Sequence, residues 1–518
     1  MAGLGAAQAG ASGSGKLETE IDAPSWVPDV EASDAADLEW RRLWLMHVDD
    51  GTARPLSREG LNVWEAAWCG PYHIVVIASE SPGEESWYAA PLVLIDVASG
   101  HERELLRSDV QLGLPCASPN GRRVAVVEAL CSDRLIVAGD VLLLDVDGGE
   151  PRRVDTHGAD VTSVAWRSDG SLLYMGIRAM DTIAGEVDGE SGEAAELWST
   201  TDGSGDWYPY GRPVDGSAFV TTLHSSRRAP SVVVIDGGDA RDVADTEHEG
   251  SRFVIGIASR LQRATWTAPD GLEIGGLLTL PEGEPPFPLI VWVHGGPVWA
   301  YQDSWPRLLL TILVARGYAV LQPNPRGSTG RGRKFAELVV GDMGGEDARD
   351  LLAGIDDLVR RGIADPGRVG VTGGSYGGFM SCRLPALDGR FKAAVAISPV
   401  TDWYSQHFNS NIGHWDADFL RDRPESPGGE YHSRSPVLFA DRVTTPTLLT
   451  AGLRDACTPP GQAWEFYRAL RWRGIPAEIA IYPEEGHGVR KLPAVIDLAT
   501  RMVGWFERYM PPGQASRM

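Results

Sequence analysis

Two architectures follow one another along this 518-residue chain: an all-β region of β-propeller type with about five blades or more, then a mostly parallel sheet flanked by helices. Three observations predict them. A strand-and-turn pattern recurs at a fixed period in the first half, strands alternate with helices in the second, and a glycine-flanked serine stands where one of those later strands gives way to a helix. Length agrees, because domains usually run to roughly 100 to 200 residues and one core is too few.

The repeat is explicit. Leu43-Trp44-Leu45-Met46-His47-Val48-Asp49-Asp50-Gly51, Leu92-Val93-Leu94-Ile95-Asp96-Val97-Ala98-Ser99-Gly100 and Val141-Leu142-Leu143-Leu144-Asp145-Val146-Asp147-Gly148-Gly149 are one pattern, with Val48, Val97 and Val146 at equal spacing. Each copy is a β-rich run, a turn of Asp, Ser or Gly, and a polar return strand such as Arg103-Glu104-Leu105-Leu106. Looser copies are read at Leu197-Trp198-Ser199-Thr200 and Val232-Val233-Val234-Ile235-Asp236. A repeat of about 40 to 50 residues holding four strands is a propeller-blade pattern. A β-sandwich with coincidental spacing is the alternative. The acidic turn Asp145-Val146-Asp147-Gly148 lacks calcium-loop spacing and reads as a hairpin.

The pattern changes near Arg260. Past a linking stretch, Pro269-Asp270-Gly271 and the Pro-rich Pro281 to Pro288, strands are expected at Leu289 to Val293, Ala319 to Leu321, Val369 to Val371, Ala393 to Ile397, Thr447 to Leu449 and Glu478 to Tyr482. Helices are expected at Leu308 to Ala315, Glu346 to Arg361 and Phe379 to Leu384. Such alternation demands a mostly parallel sheet covered on both faces. The chain therefore divides into an N-terminal extension, partly flexible, at 1–35, a β-propeller at 36–258 and an α/β domain at 259–518.

Gly373-Gly374-Ser375-Tyr376-Gly377 is a G-x-S-x-G motif between a strand and a helix. Flanking glycines allow the sharp strand-to-helix turn that exposes a nucleophilic hydroxyl, the elbow of α/β-hydrolases. A serine hydroxyl needs a base within hydrogen-bond reach and a carboxylate to fix the base's tautomer. His487 in Glu484-Glu485-Gly486-His487-Gly488 and Asp455 in Ala451-Gly452-Leu453-Arg454-Asp455 both follow strands and complete the order Ser, Asp, His. Asp402 and Asp441 are rivals for the carboxylate. The oxyanion donors expected are the Tyr376 backbone N–H and the loop His294-Gly295-Gly296-Pro297, with Gly295 and Gly296 as donors and His294 as its anchor. Val400, Trp403 and Tyr404 follow a core strand and would form either an apolar pocket wall or core packing, and Thr458, just before Pro459, would make such a pocket more polar. Glu84-Glu85 beside Trp87 offers an amine clamp, though a solvated turn is the simpler reading.

Composition narrows the function classes. A formal charge of -24 repels nucleic acid and anionic lipid. Nothing approaches the eighteen apolar residues of a membrane span, and Met1 to Gly15 lacks the form of a secretory signal. Cys69, Cys116, Cys131, Cys382 and Cys457 are scattered, with no C-x-x-C pair, which suits a reducing cytoplasm and argues against zinc. No metal or organic cofactor is expected. Gly10 to Lys16 nearly spells a phosphate loop, but Leu17 holds the required Ser/Thr place, and Gly327 to Gly332 lacks the Lys-Ser/Thr ending.

Taken together, His294-Gly295-Gly296-Pro297, Asn324-Pro325-Arg326-Gly327-Ser328-Thr329-Gly330, Gly373 to Gly378, Asp455 with Pro459, and Tyr482-Pro483-Glu484-Glu485-Gly486-His487-Gly488 resemble the prolyl oligopeptidase family of serine peptidases, in its acylaminoacyl-peptidase-like and dipeptidyl-peptidase-like branches. The resemblance implies Ser375, Asp455 and His487 as a triad, a propeller that caps the site so that only small or unfolded peptides enter, short peptides as substrates, and homo-oligomers formed through the hydrolase domains. A carboxylesterase acting on small acyl esters would use the same machinery. From another class, the chain would be a binding protein whose propeller recruits a partner while the hydrolase half is silent.

Overall fold

The computed structural model describes residues 40–134, 136–413 and 415–512; the expected extension at 1–35 and the near-phosphate loop lie outside them. Residues 40–245 form an all-β region. Its described residues hold four antiparallel four-stranded sheets, each made of consecutive strands, and a two-stranded sheet of Trp44–Met46 and Ala53–Pro55. The repeat explains that arrangement. Leu92–Asp96 and Asp140–Asp145, the copies read from sequence, are the third strands of their sheets, so Trp44–Met46 and Ala53–Pro55 correspond to the outer half of such a unit.

One repeat copy is corrected. The run at Leu197 belongs to Ala194–Thr200, the fourth strand of its sheet, whereas the third is Asp181–Val187. That strand carries Gly185, whose missing side chain leaves space for the Tyr174 ring, and the glycine interrupts the apolar run that marks the other copies.

The last two of these four sheets differ from the first two in their second hairpins. Strands Leu172–Arg178 and Asp181–Val187, and likewise Phe219–Ser225 and Arg228–Asp236, are joined by tight turns. In the first two sheets the same connection expands to residues 80–91 and 130–139, and these two loops lie against one another: the Tyr88 hydroxyl donates to Ser132 O at 2.7 Å, and Arg134 Nε pairs with Glu84 Oε1 at 2.8 Å.

The α/β half is built on one eight-stranded sheet in the order Leu261–Thr267, Glu273–Thr279, Ala319–Asn324, Phe287–Val293, Ala364–Gly374, Phe391–Ile397, Thr447–Gly452, Ala477–Tyr482. The first two strands pair antiparallel and the last six are mutually parallel. Pro269-Asp270-Gly271 is thus the hairpin turn of the sheet's antiparallel edge rather than a linker, and Asp270 pairs there with Arg326 at 2.9 Å. Alternate residues of each parallel strand point to opposite faces. Ile290 and Val395 pack on one face against Leu313, Val314, Met502 and Phe506 of the helices Leu308–Ala315 and Ala494–Tyr509. Leu289 and Val291 pack on the other, in the core shared with Leu351, Ile355 and Phe379 of Glu346–Arg360 and Tyr376–Leu387. Both faces being covered, the central strands read as continuous apolar runs.

Candidate active site

Ser375 sits between the strand Ala364–Gly374 and the helix Tyr376–Leu387, with φ +58 and ψ −118. A positive φ is unusual for a residue with a side chain and marks a strained turn. The motif's glycines explain how the turn closes. A Cβ at Gly373 would come within 2.4 Å of Val293 O, and one at Gly377 within 2.1 Å of the same oxygen. Strand, turn and helix can therefore nest against the neighbouring strand only with hydrogen at both positions. Tyr376 opens the helix, so its backbone N–H has no partner in the preceding turn. Its side chain anchors the elbow from below: the buried hydroxyl donates to Asp347 Oδ2 and accepts from Gly344 N at 3.1 Å. Burial pushes the Asp347 carboxyl up to about 7.

The loop after Phe287–Val293 abuts this elbow. A Cβ on Gly295 would lie 3.3 Å from Gly374 O and 3.5 Å from the Ser375 Cβ, and Gly296 has φ +111. His294 is buried and its Nδ1 lies 2.7 Å from Gly295 O. A carbonyl only accepts, so Nδ1 carries the proton and Nε2 faces Ser328 Oγ, 3.0 Å away. Burial lowers its pKa to about 4, which keeps the ring neutral. His294 fastens the loop to the Asn324 to Gly330 turn and packs edge-on against Trp299 and Tyr301.

His487 and Asp455 lie in the loops after the last two strands of the sheet. His487 Nδ1 is 2.9 Å from Asp455 Oδ2. The carboxylate accepts in addition from Cys457 N at 3.0 Å, Thr458 N at 2.9 Å and Thr458 Oγ1 at 2.9 Å, so its orientation is fixed from three sides. Burial is the largest influence on His487 and pushes its pKa down; the charge and hydrogen bond of Asp455 outweigh it, and the net direction is upward. The rival carboxylates are placed elsewhere. Asp402 caps the helix Trp403–Asn409 by accepting from Tyr404 N, and Asp441 is exposed in a turn.

Ser375, His487, Gly295 and Gly296 line one cavity of about 360 Å³, which Gly488, Val489, Trp207, Trp299 and Arg307 line as well. A second, narrow cavity of about 20 Å³ opens beside Ser375 and Tyr376. Val400, Trp403 and Thr458 line it, together with Gln406, Trp415 and Cys457. That space admits about one water-sized group. The indole N–H groups of Trp403 and Trp415 and the Gln406 Oε1 are buried there without hydrogen-bond partners.

Three sequence expectations are corrected. Tyr404 is 44% exposed and stacks edge-on against Phe408, because the position next to Trp403 on a helix faces away from it. The Thr458 hydroxyl does not polarise the narrow cavity; it lies within hydrogen-bond distance of Asp455, Ser398 O and His487 Nδ1, and so belongs to the support of the imidazole. Glu84 is not in a solvated turn either. It is buried and held by Arg134 and Arg41, which sandwich the Trp64 ring.

Sequence reasoning missed Ser132 and Asp133. Both come from the 130–139 loop of the all-β region, and Asp133 lines both cavities. Ser132 Oγ accepts from Val298 N at 2.7 Å, fastening the glycine loop from across the domain boundary. The signal available was the lengthened hairpin between Ala129 and Asp140, since long connections on a rigid scaffold are where sites are built. No helix among the described residues is long and apolar enough to cross a membrane, and no cluster of three or more His, Cys, Asp or Glu stands ready for a metal among them. The five cysteines are unpaired.

Comparison with known proteins supplies the lineage. Residues 306–512 match the model described as the prolyl oligopeptidase family. The uncharacterized peptidase YuxL of Bacillus subtilis is 36% identical over 264 residues, 49% of this chain and 40% of that protein. The acylamino-acid-releasing enzyme of Homo sapiens is 31% identical over 254 residues, 46% of this chain and 34% of that one. The chain thus aligns with well under half the length of these curated relatives. In architecture the likeness extends further: the acylaminoacyl peptidase of Pyrococcus horikoshii superposes with a TM-score of 0.75 over 96% of this chain and 80% of its own, at 22% identity. A puromycin hydrolase superposes with a TM-score of 0.74 over 89% of this chain and 72% of its own, at 24% identity, so the all-β region and the α/β half share those proteins' fold. The match to the prolyl oligopeptidase family thus lies within the α/β half, over residues 306–512.

Proposed function

We propose that the protein is a serine peptidase that hydrolyses short peptides through an acyl-enzyme, with Ser375 as nucleophile, His487 as general base and acid, and Asp455 as the group that orients the imidazole. The observation that carries this reading is the shared cavity: Ser375 and the imidazole of His487 face one space while the other imidazole nitrogen is held 2.9 Å from Asp455. Attack by Ser375 on a peptide carbonyl generates an oxyanion, and the backbone N–H groups of Tyr376 and of Gly295 or Gly296 are the donors closest to hand for it. His487 takes the serine proton and passes it to the leaving amine; water then repeats the sequence on the acyl-enzyme.

In the same reading the chain divides into a propeller at 36–258 and a hydrolase domain at 259–518, and the propeller restricts entry to small or unfolded peptides. The loop 130–139 supports this role, because it reaches from the all-β region to the walls of both cavities, and the loop 80–91 braces it through the Tyr88 hydroxyl. The narrow cavity beside Ser375 receives the side chain preceding the scissile bond, and its volume favours small ones. Unpaired cysteines, four of them buried, support residence in a reducing compartment.

A fluorophosphonate probe tests the assignment. Folded protein is expected to label at Ser375, and Ser375→Ala is expected not to; absence of labelling in the native chain would leave a silent, propeller-based binding protein. Turnover of a peptide anilide beside a matched ester separates the remaining alternative. Hydrolysis of the ester alone would make the protein a carboxylesterase.

A further inference from the structure

Arg307 stands at the junction of two cavities. It lines the 360 Å³ space that holds Ser375 and His487, and also a larger one of about 750 Å³ between the two halves of the molecule, and Trp207, Trp299 and Tyr301 line both as well. The walls of the larger cavity are fixed across the domain boundary. Asp303 accepts from Ser226 N at 2.7 Å, Trp305 N donates to His224 Nδ1 at 3.0 Å, and Trp299 Nε1 donates to Trp207 O at 3.3 Å.

The guanidinium of Arg307 lies over two indoles, 5.6 Å from the Trp207 ring and 5.5 Å from the Trp299 ring. Stacking of this kind holds the planar cation while leaving its N–H edges open to an acceptor. In a chain of charge -24 an arginine normally finds a carboxylate, and its neighbours in sequence do: Arg316 pairs with Glu507, Arg326 with Asp350 and Asp270, and Arg333 with Asp109 and Glu337. Arg307 makes no ion pair or side-chain hydrogen bond among the described residues, even though Asp206 lines the same larger cavity.

The direction of the chain through the site decides what this cation meets. The imidazole of His487 delivers its proton to the leaving amine, so the leaving fragment lies on the imidazole side. The narrow cavity is lined by Ser375, Tyr376 and Val400 and not by His487, and takes the acyl portion. The cavity that His487, Gly488 and Val489 share with Arg307 is therefore the path of the leaving fragment. Resting on the peptidase reading, we propose that Arg307 binds the C-terminal carboxylate of that fragment, so that the enzyme selects short peptides whose free C-terminus lies a few residues beyond the cleaved bond.

The test compares alanine-based peptides, N-terminally free and acetylated, whose leaving fragments run from one to four residues and end either as the acid or as the C-terminal amide. At low salt the acid is expected to exceed the amide in kcat/KM by about ten- to a hundredfold at the best length, as for a hydrogen bond to a charged group. The ratio should fall toward unity in Arg307→Gln, persist in part in Arg307→Lys, and shrink with added salt. The readout is a ratio, so a general loss of activity in a variant cancels. Equal turnover of acid and amide in the native enzyme, or a ratio that survives Arg307→Gln, overturns the proposal, as does preference for an amide peptide ending in Glu over the free acid. Protection of Ser375 from a fluorophosphonate by trialanine but not by trialanine amide reads the same contact without turnover. If no peptide is cleaved, the peptidase reading fails while this measurement still decides on Arg307, equal protection counting against it.

Discussion

In the α/β half, the groups around Ser375 are fastened by neighbours from the same half: Asp455 by the loop it stands in, the Tyr376 ring by Asp347 and Gly344, His294 by Ser328. The all-β half touches the same space through the lengthened hairpin at 130–139 and the segment around Trp207, and its contacts fall on walls rather than on the reacting groups. The difference separates labour. Chemistry is set inside one half, whose preorganised dipoles take the Ser132 hydrogen bond to the glycine loop from outside, and access is set by the other, whose loops can vary without disturbing the elbow.

Substitutions sharpen or break that division. Ser375→Ala has the largest expected effect, a drop in turnover of about 10⁶-fold with complete loss of fluorophosphonate labelling. Next comes Asp455→Asn, expected to lower kcat by about 10⁴-fold at unchanged stability of the β-rich half, since the wrong imidazole tautomer is then favoured. Gly296→Ala follows. A Cβ there would fall 2.6 Å from Val298 N at a φ of +111, so the loop must shift and the oxyanion donors with it, for a loss of about 10² to 10³ in kcat. By contrast Ser132→Ala acts from the other half. It leaves the buried Val298 N–H without its acceptor, a loss of about 1–3 kcal/mol. The expected result is a lower melting temperature and a roughly tenfold change in kcat/KM; a loss as large as that of Gly296→Ala would mean that the two halves do not divide the work.

Much of this was legible in the residues. The α/β half could be read strand by strand because covered parallel strands are continuous apolar runs, and the helix Glu346–Arg360 shows its face in its own periodicity. The sequence put Ser375, Asp455 and His487 each after a strand, and they stand in the connections that follow Ala364–Gly374, Thr447–Gly452 and Ala477–Tyr482. The antiparallel edge Leu261–Thr267 and Glu273–Thr279 was not, since its alternating pattern resembles the repeats before it and Pro269-Asp270-Gly271 reads equally well as a linker. Nor was the support of the site. Thr458 looks like a pocket residue until its hydroxyl is found on Asp455, and Ser132, Asp133 and Arg307 acquire meaning only from packing across a domain boundary, which no local pattern records.

The smallest expected effects are in pH dependence, and they test the comparison most directly. His487 must be neutral to accept the serine proton, so kcat/KM rises as pH climbs through its pKa. Burial alone would set that pKa below 6.5, but Asp455 raises it by more, and the acid limb of the native enzyme is therefore expected above 6.5. The same upward shift contributes folding stability that is full below pH 6.5 and lost as pH rises through the folded value. In Asp455→Asn the residual activity should show its acid limb moved to lower pH, because desolvation is left unopposed. Asp133 is where the β-rich half enters this balance: its charge also favours the imidazolium, less than Asp455 does, while Arg490 opposes it. Asp133→Asn is expected to move the limb down by a fraction of the Asp455→Asn displacement at nearly unchanged plateau activity. A displacement as large as that of Asp455→Asn would place the β-rich half inside the chemistry and dissolve the division of labour; an upward displacement would reverse the sign on which the electrostatic argument stands.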